Sequence, residues 1–318
     1  MGPGVDLIGH RLTIRLHDPE GGFRDIVGVL ESTTTLRRRD NSIATFNPER
    51  IAIWREIPIV APRAGHGAPL SARIREIELA ANETWKATHE NYLGGWLLRA
   101  SGQFTLRANS VLPLGEPPFG NPGIEIDEAI EKVIAFYNSH NLKPVFHIPL
   151  PTYCELDDLL EKKGWEKKVT VAIMVSDLDP IPMPQISAGN WQYSDSPTPQ
   201  WLALQADEAL AHIMTRSPAT YTQLMINDAV VAVGRAAIHD GWVVLSRLFV
   251  DPKYRSQGFG RATMVAMLNN ALLGGATKAM LQVDSGNDTA ISLYENLGFN
   301  QHHTYTYRIL QPSKDNSC

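Results

Sequence analysis

The segment Leu248–Leu268, LFVDPKYRSQGFGRATMVAML, combines three features in an order typical of a ligand-binding turn. An apolar strand-like run comes first, an Arg-x-x-Gly-x-Gly turn follows, and the residues after it have the apolar spacing of a helix. Gly258 and Gly260 allow positive φ, so that several backbone N–H groups point to one place. The helix N-terminus, with Arg255 and Arg261 nearby, favours an anion there. The turn is therefore predicted to hold a phosphate, although glycine turns before helices are common.

The composition limits the classes of protein that fit. With 318 residues, 43% of them hydrophobic, the chain can bury a sizeable core and divide into two or three domains. Its formal net charge of −5 gives no overall attraction for nucleic acid, and Arg37–Arg39 is short enough to be a solvated turn. We therefore expect no nucleic-acid partner.

The location expected for the protein is the cytoplasm. Cys154 and Cys318 show neither a disulfide framework nor a metal-ligand spacing, and no apolar stretch approaches the ~20 residues of a membrane span. His302 and His303 lack further ligands at a fixed spacing, so no metal is expected. We expect no membrane partner, and the sequence is compatible with a homo-oligomer without selecting one.

Two proline- and glycine-rich linkers, Pro58–Leu70 and Asp179–Gly189, divide the chain. Short alternating segments separated by turn residues precede the first linker, and they predict a small SH3-like β-barrel over residues 1–58. These segments are Arg11–Leu16, Asp25–Ser32, Ser42–Asn47 and Arg50–Trp54. The remaining domains are expected at 71–178 and 190–312.

A weak internal repeat relates these two later domains. Leu160–Val175 resembles Tyr294–Ile309: each contains a helix end, a glycine with an aromatic residue, and an alternating strand. Another strand precedes each, Pro144–Leu150 and Lys278–Asp284. The chain therefore contains two related α-β halves.

The halves differ where chemistry is expected. The first half has no Arg-x-x-Gly-x-Gly before its helix Ile126–His140, and it has Leu160 where the second half has Tyr294. The first half is predicted to be a scaffold or a substrate wall, and the second to hold the working site.

The strand, glycine turn and helix, followed by the pattern of Asn287, Ala290, Tyr294, Gly298 and Phe299, resemble the GCN5-related N-acetyltransferases. The resemblance implies an α+β fold with tandem acetyltransferase folds, in which mostly antiparallel mixed sheets are flanked by helices. Asn91–Pro118 and the predicted N-terminal barrel are further similar to a bacterial branch described as N-acetylglutamate synthases or as histone acetyltransferases.

The resemblance also implies acetyl-CoA as co-substrate and assigns residues to it. The strand Leu248, Phe249 and Val250 would offer free amides to the pantetheine arm and polarise the thioester, and Asn287 would contact the coenzyme. The pyrophosphate would lie on the turn, formed by Arg255, Ser256, Gln257, Gly258, Phe259, Gly260 and Arg261. Without the resemblance, the strand is ordinary core and Asn287 an ordinary helix-entry residue.

Tyr294 is the candidate general acid, because its place in the pattern lies beside the coenzyme sulfur in the family it resembles. The alternative is a buried aromatic residue packed on its helix. The general base is open: Asp207, Glu208, Asp251 and Asp284 are candidates, and water is equally suitable.

Branch resemblance predicts L-glutamate as the acceptor, acetylated by direct attack for arginine biosynthesis. Arginine can bind carboxylates through two hydrogen bonds; the candidates are Arg99, Arg107, Arg216, Arg235 and Arg247. Alternatives are a protein-lysine or other small-amine acetyltransferase, and a non-catalytic acetyl-CoA sensor.

Overall fold

The computed structural model describes residues 2–19, 21–38, 42–56, 66–102, 105–186, 189–205 and 211–311. The chain forms two compact units, Met1–Pro62 and Arg63–Cys318. The finer domain limits at 58, 178 and 190 remain predictions.

The N-terminal unit is a five-stranded antiparallel sheet. Its strands are β1 Arg11–His17, β2 Phe23–Ser32, β3 Thr35–Arg37, β4 Ile43–Thr45 and β5 Ile51–Glu56. Alternate apolar residues of β1, namely Leu12, Ile14 and Leu16, point to one face and form its core. The order β4-β3-β2-β1-β5 leaves β4 and β5 at opposite ends, and these two strands do not pair within the described residues. The closed SH3-like barrel expected from the sequence is therefore not found.

The second unit begins with the first α-β half. Its elements are α1 Leu70–Glu83, β6 His89–Leu93, β7 Trp96–Ala100, β8 Leu112–Pro113, α2 Ile126–Ser139, β9 Val145–Leu150, α3 Cys154–Lys162 and β10 Glu166–Asp177. The amphipathic pattern of α2 buries Ala129, Ile130, Val133 and Tyr137 against the sheet.

The second half follows the same element order after its first helices. Its elements are β11 Gly189–Ser194, α4 Pro199–Gln205, α5 Ala211–Met214, β12 Thr220–Ile226, β13 Ala229–His239, β14 Trp242–Val250, α6 Phe259–Leu273, β15 Lys278–Asp284, α7 Asp288–Glu295 and β16 Asn300–Ile309. None of the helices in the described part of the chain has the length and apolar character needed to span a bilayer.

The two halves share one sheet by exchanging their last strands. In the order β11-β12-β13-β14-β15-β10-β16-β9, strand β10 of the first half lies against β15, and β16 of the second half lies against β9. A single parallel bridge between Val111, just before β8, and Phe146 of β9 connects this sheet to the smaller sheet β6-β7-β8. The repeat is therefore confirmed, but its halves are interlocked.

A constant offset relates the two halves, because Gly164 and Gly298 stand 134 positions apart and the elements from β8 to β10 match β14 to β16 at that spacing. In the second half, α6 covers one sheet face through the core containing Val243 and Leu281. Helix α1 packs on the opposite face, through the core containing Trp242 and Met280.

Candidate active site

A cleft opens where two neighbouring parallel strands of the second half separate. Strands β14 and β15 pair only from Trp242 and Lys278 to Leu245 and Leu281. Beyond Leu245, the edge of β14 that faces β15 has no strand partner, and Arg247 takes a left-handed φ of +58°. The ladder to β13 shifts register at the same place. The amides of Leu248, Phe249 and Val250 therefore belong to the diverging part of β14, as the sequence predicts.

The cleft has a volume of about 410 Å³ and combines polar and apolar walls. It is lined by Gln205, Leu245, Ser246, Arg247, Leu248, Phe249, Met264, Leu281, Gln282, Val283, Asp284, Asn287, Ala290 and Tyr294. Strands β14 and β15 and helix α7 supply most of these residues, so that the candidate acid and the candidate coenzyme strand line the same space.

The glycine turn lies between β14 and α6. Gly258 is the N-cap of α6 with φ of +81°, in the left-handed region that glycine adopts without strain. The first amides of α6 have no intrahelical partner, and the positive end of the helix dipole lies there. This geometry fits a diphosphate, and Arg255, Ser256, Gln257 and Arg261 are all exposed beside it.

Packing does not explain the second glycine. A Cβ at Gly260 would lie 3.7 Å from Val250 and 3.8 Å from Leu293, which is ordinary contact. The absence of a side chain leaves the helix N-terminus open to close approach, as a bound phosphate requires. Arg255 is held over the Phe249 ring at 5.5 Å and donates from Nε to the Val250 carbonyl.

Tyr294 lies on α7 and lines the cleft with its ring against the apolar core. Its ring centroid is 6.3 Å from that of Phe299. Burial raises the pKa of Tyr294 above its ordinary value near 10, so the phenol remains protonated at neutral pH. Tyr294 therefore packs against the core, and its phenol also has the protonated form that a proton donor needs.

Asn287 has a structural role as the N-cap of α7. Its side-chain oxygen accepts a hydrogen bond of 3.1 Å from the Ala290 amide. It also lines the cleft, so its predicted contact with the coenzyme remains a prediction.

Two of the candidate bases hold local turns. Asp251 accepts from the Lys253 amide at 2.8 Å, and Asp284 accepts from the Gly286 amide at 2.8 Å. Of these two, Asp284 lines the cleft. Asp207 and Glu208 lie outside the described residues.

Three of the five predicted substrate arginines donate hydrogen bonds to protein groups, and two of them, Arg99 and Arg235, are buried. Arg99 is buried and donates to the backbone and hydroxyl oxygens of Ser110 and to Asn82. Buried Arg235 donates to Met214 and Ser217, and Arg216 donates to the Ala87 carbonyl. Their hydrogen bonds hold loops and join the halves. The sequence alone does not distinguish this role from substrate binding.

The other two arginines have different surroundings. Arg247 lines the cleft, and its backbone carbonyl accepts from Gln205 at 2.7 Å. Arg107 is partly buried, with its guanidinium 5.4 Å from the centroid of Trp85.

Sequence reasoning missed two polar residues of the cleft, Ser246 and Gln282. The Oγ atom of Ser246 and the Nε2 atom of Gln282 are buried without a hydrogen-bond partner. The other amide atom of Gln282, Oε1, accepts a hydrogen bond of 3.0 Å from the Tyr305 hydroxyl. Each interrupts an otherwise apolar strand, in WVVLSRLFV and KAMLQVD. This interruption is the signal that could have found them.

The diverging strands, the glycine turn and the tyrosine on α7 together define an acyltransferase of the GCN5-related N-acetyltransferase type. Solved structures share the fold: the chain is similar to a GCN5-related N-acetyltransferase from Kribbella flavida, with a TM-score of 0.63 and 18% identity over 78% of this chain and 98% of that one. It is also similar to a tandem acetyltransferase protein of the clavulanic acid biosynthesis pathway, with a TM-score of 0.54 and 12% identity over 80% and 92% of the two chains. At these identities the likeness concerns the fold.

Within this class, the chain belongs to the family described as "Probable histone acetyltransferase Rv0428c C-terminal", whose model matches residues 71–308. It is 30% identical to the "Probable histone acetyltransferase Rv0428c" of Mycobacterium tuberculosis, over 94% of each chain. It is 28% identical to the "Uncharacterized N-acetyltransferase YobR" of Bacillus subtilis, over 74% of this chain and 98% of that one. The protein is thus an N-acetyltransferase, and enzymes with this fold use acetyl-CoA as co-substrate.

Proposed function

We propose that the protein transfers the acetyl group of acetyl-CoA directly to a primary amine, with Tyr294 as the general acid. The observation that supports this most strongly is the cleft where β14 and β15 diverge. Strand β14 forms one wall and leads into the glycine turn, and Tyr294 of α7 lies in another wall. The protonated phenol disfavours a pure sensor, because binding alone does not need an acid.

When bound, acetyl-CoA supplies an activated thioester. The turn and the first amides of α6 hold the diphosphate, and the free edge of β14 holds the pantetheine arm and polarises the carbonyl. Tyr294 donates its phenolic proton to the sulfur as the C–S bond breaks and the N–C bond forms. The amine proton leaves through water, and the Tyr294 phenolate regains a proton from the solvent, so that the protons balance.

L-glutamate, the acceptor predicted from branch resemblance, remains a compound to test. Neither Rv0428c nor YobR is named for that reaction, and two of the arginines expected to bind its carboxylates, Arg99 and Arg235, are buried and hydrogen-bonded to protein groups. The narrower assignment to arginine biosynthesis accordingly has no support beyond the resemblance.

The coenzyme assignment can be tested at Gly258. An aspartate there adds a negative charge and a side chain where the diphosphate would lie, and we expect acetyl-CoA to bind roughly 100-fold more weakly by isothermal titration calorimetry. The matched control is Gly258→Asn, which adds a similar volume without charge and tolerates the left-handed φ. Unchanged binding by Gly258→Asp would show that the turn does not hold the diphosphate.

A further inference from the structure

Two guanidinium groups lie near the same indole ring at the junction of the two halves. Arg107 is 5.4 Å and Arg235 is 5.3 Å from the centroid of Trp85. Arg107 and Trp85 come from the first half, and Arg235 comes from β13 of the second. We refer to these three residues as the Trp85 site.

The Trp85 site brings two positive charges together. In the part of the chain that the structure describes, neither Arg107 nor Arg235 forms an ion pair with a carboxylate. Burial lowers the pKa of Arg235, and the charge of Arg107 lowers it further. Cations out of water are costly unless an anion compensates them. A bound carboxylate would provide that compensation.

The Trp85 site adjoins the cleft on the face of the sheet opposite α6. Arg235 is paired directly with Ser246 across β13 and β14, and opposed residues of a ladder point to the same face. Ser246 lines the cleft. Phe249, another cleft residue, packs against the apolar cluster that contains Trp85. A small molecule could therefore contact both places.

Buried polar atoms at both places also lack hydrogen-bond partners. Trp85 Nε1, Ser246 Oγ and Gln282 Nε2 have no hydrogen-bond partner in the structure. Tyr305 fixes Gln282 through its other side-chain atom, Oε1, at 3.0 Å. Such groups are costly to bury without a partner, and a ligand with acceptor atoms would satisfy them.

We infer that the Trp85 site binds a carboxylate of the acceptor, so that the enzyme acetylates amino acids or similar carboxylate-bearing small amines; this inference rests on the proposed acetyl transfer. Arg107 makes the contact, because it is partly exposed and its guanidinium has no hydrogen bond in the described residues. Arg235, tied to Met214 and Ser217, adds charge and holds the wall. A planar guanidinium can bind the carboxylate through two hydrogen bonds.

The test compares the twenty amino acids with their carboxamides, alongside a polyamine and a lysine-rich peptide. The readout is kcat/KM from release of free CoA by the full-length protein. We expect the preferred amino acid to exceed its carboxamide roughly 30-fold, since one hydrogen-bonded charge pair is lost in the amide. Arg107→Met, which keeps an apolar side chain beside Trp85, should reduce kcat/KM for the amino acid to about the value for its amide. Arg107→Lys should restore part of the difference.

Arg24→Met is the matched control, because Arg24 is an exposed arginine of the N-terminal unit, and it should change neither value. Thermal unfolding of each variant checks that the fold is retained. Equal turnover of acid and amide, or turnover of the peptide or polyamine alone, would overturn the carboxylate site and leave acetyl transfer standing. If no amine releases CoA, the proposed function fails, and calorimetric titration of the amino acids into the CoA-saturated protein decides the inference separately. Carboxylate-dependent binding that Arg107→Met abolishes would support it, and absence of binding would overturn it.

Discussion

Each α-β half has a cleft of about 410 Å³ at the end of its central strand, and only the second-half cleft contains residues proposed for the reaction; His239, Asp240 and Trp242 of the second half also line the first cleft. The first-half cleft is lined by Leu114, Gly115 and Tyr153, whose counterparts at the 134-residue offset are Leu248, Phe249 and Asn287. Helix α1 supplies much of its remaining wall. The repeated fold thus has a cleft at this place in both halves, with or without a glycine turn.

The loops before the main helices explain the difference. The segments 114–125 and 248–259, which lead into α2 and α6, have equal lengths, but the first has Pro122 at the place of Ser256 and Ile124 at the place of Gly258. Proline removes an amide donor, and Glu125, at the place of Phe259, puts a negative charge where a diphosphate would lie. A phosphate site can therefore be lost without any change in loop length.

The helix after the cleft differs as well. Leu160, fully buried in α3, replaces Tyr294 and leaves no acid. The Tyr153 hydroxyl donates to the Gly115 carbonyl at 2.7 Å, joining the ends of the two strands that form the cleft. The comparison indicates that the chemistry depends on a few residues, while the shared sheet depends on the whole repeat.

The largest expected effect is that of Tyr294→Phe. Removing the acid should lower kcat about 1000-fold with little change in acetyl-CoA binding, because the ring still packs on the core. Since burial raises its pKa, the loss of wild-type kcat on deprotonation of Tyr294 should begin only above the ordinary value near 10. Steady-state kinetics across pH check both points. Tyr193→Phe, at an exposed tyrosine of β11, serves as control, and equal kcat in the two variants would exclude Tyr294 as the acid.

A second prediction concerns the link between the halves. Glu78 of α1 is buried, 3.2 Å from His147 of the first half and 3.0 Å from His303 of the second. Burial opposes its charge, but the two imidazoles outweigh this and hold the pKa of Glu78 below its ordinary range. Glu78→Gln should lower the free energy of unfolding by about 3 kcal/mol at neutral pH.

The sign of the pH dependence follows from that lowered pKa. The contribution of Glu78 is complete above its unfolded pKa and is lost as the pH falls through the folded one, so wild type and Glu78→Gln should converge in acid. Denaturant unfolding measures this. Glu83→Gln on the same helix breaks only a surface pair with Lys86 and should cost less than about 1 kcal/mol. Similar losses for both variants would contradict the linking role.

The smallest effect is expected for Tyr153→Phe in the unused cleft. It removes the hydrogen bond to Gly115 and should cost about 1 kcal/mol of stability while kcat stays unchanged. Thermal unfolding and steady-state assays test this. A fall in kcat would show that the first-half cleft contributes to turnover.

The sequence predicted those parts that depend on local patterns. The turn at Gly258, the strand Lys278–Asp284 and the helix beginning near Gly260 follow from periodicity and from the φ that glycine permits. The exchange of β10 and β16 could not be predicted, because pairing between distant strands is not encoded in either strand's own alternation. The closure of the predicted N-terminal barrel is likewise not found among the described residues, because alternation predicts strands but not the closure of a sheet.

The predicted arginines show the corresponding limit at the site. Arg99 and Arg107 stand eight positions apart in one segment, yet one is saturated by Ser110 and Asn82 and the other lies over Trp85. Burial and partners decide between these roles, and both arise from tertiary packing. Ser246 and Gln282 were overlooked because the sequence does not show that β14 and β15 diverge beside these two polar residues, which both lack hydrogen-bond partners.

The exchanged strands make each half an obligate partner of the other. Without residues 166–177, strand β15 loses a neighbour, and without residues 300–309, strand β9 loses one. The lack of a glycine turn in the first half therefore does not make that half dispensable. The second half cut out alone would expose one edge of β15 and both edges of β16. Fragments divided at the linker after Asp177 are expected to fold only when produced together. The first half, although it lacks the glycine turn, thus supplies strands that the shared sheet requires.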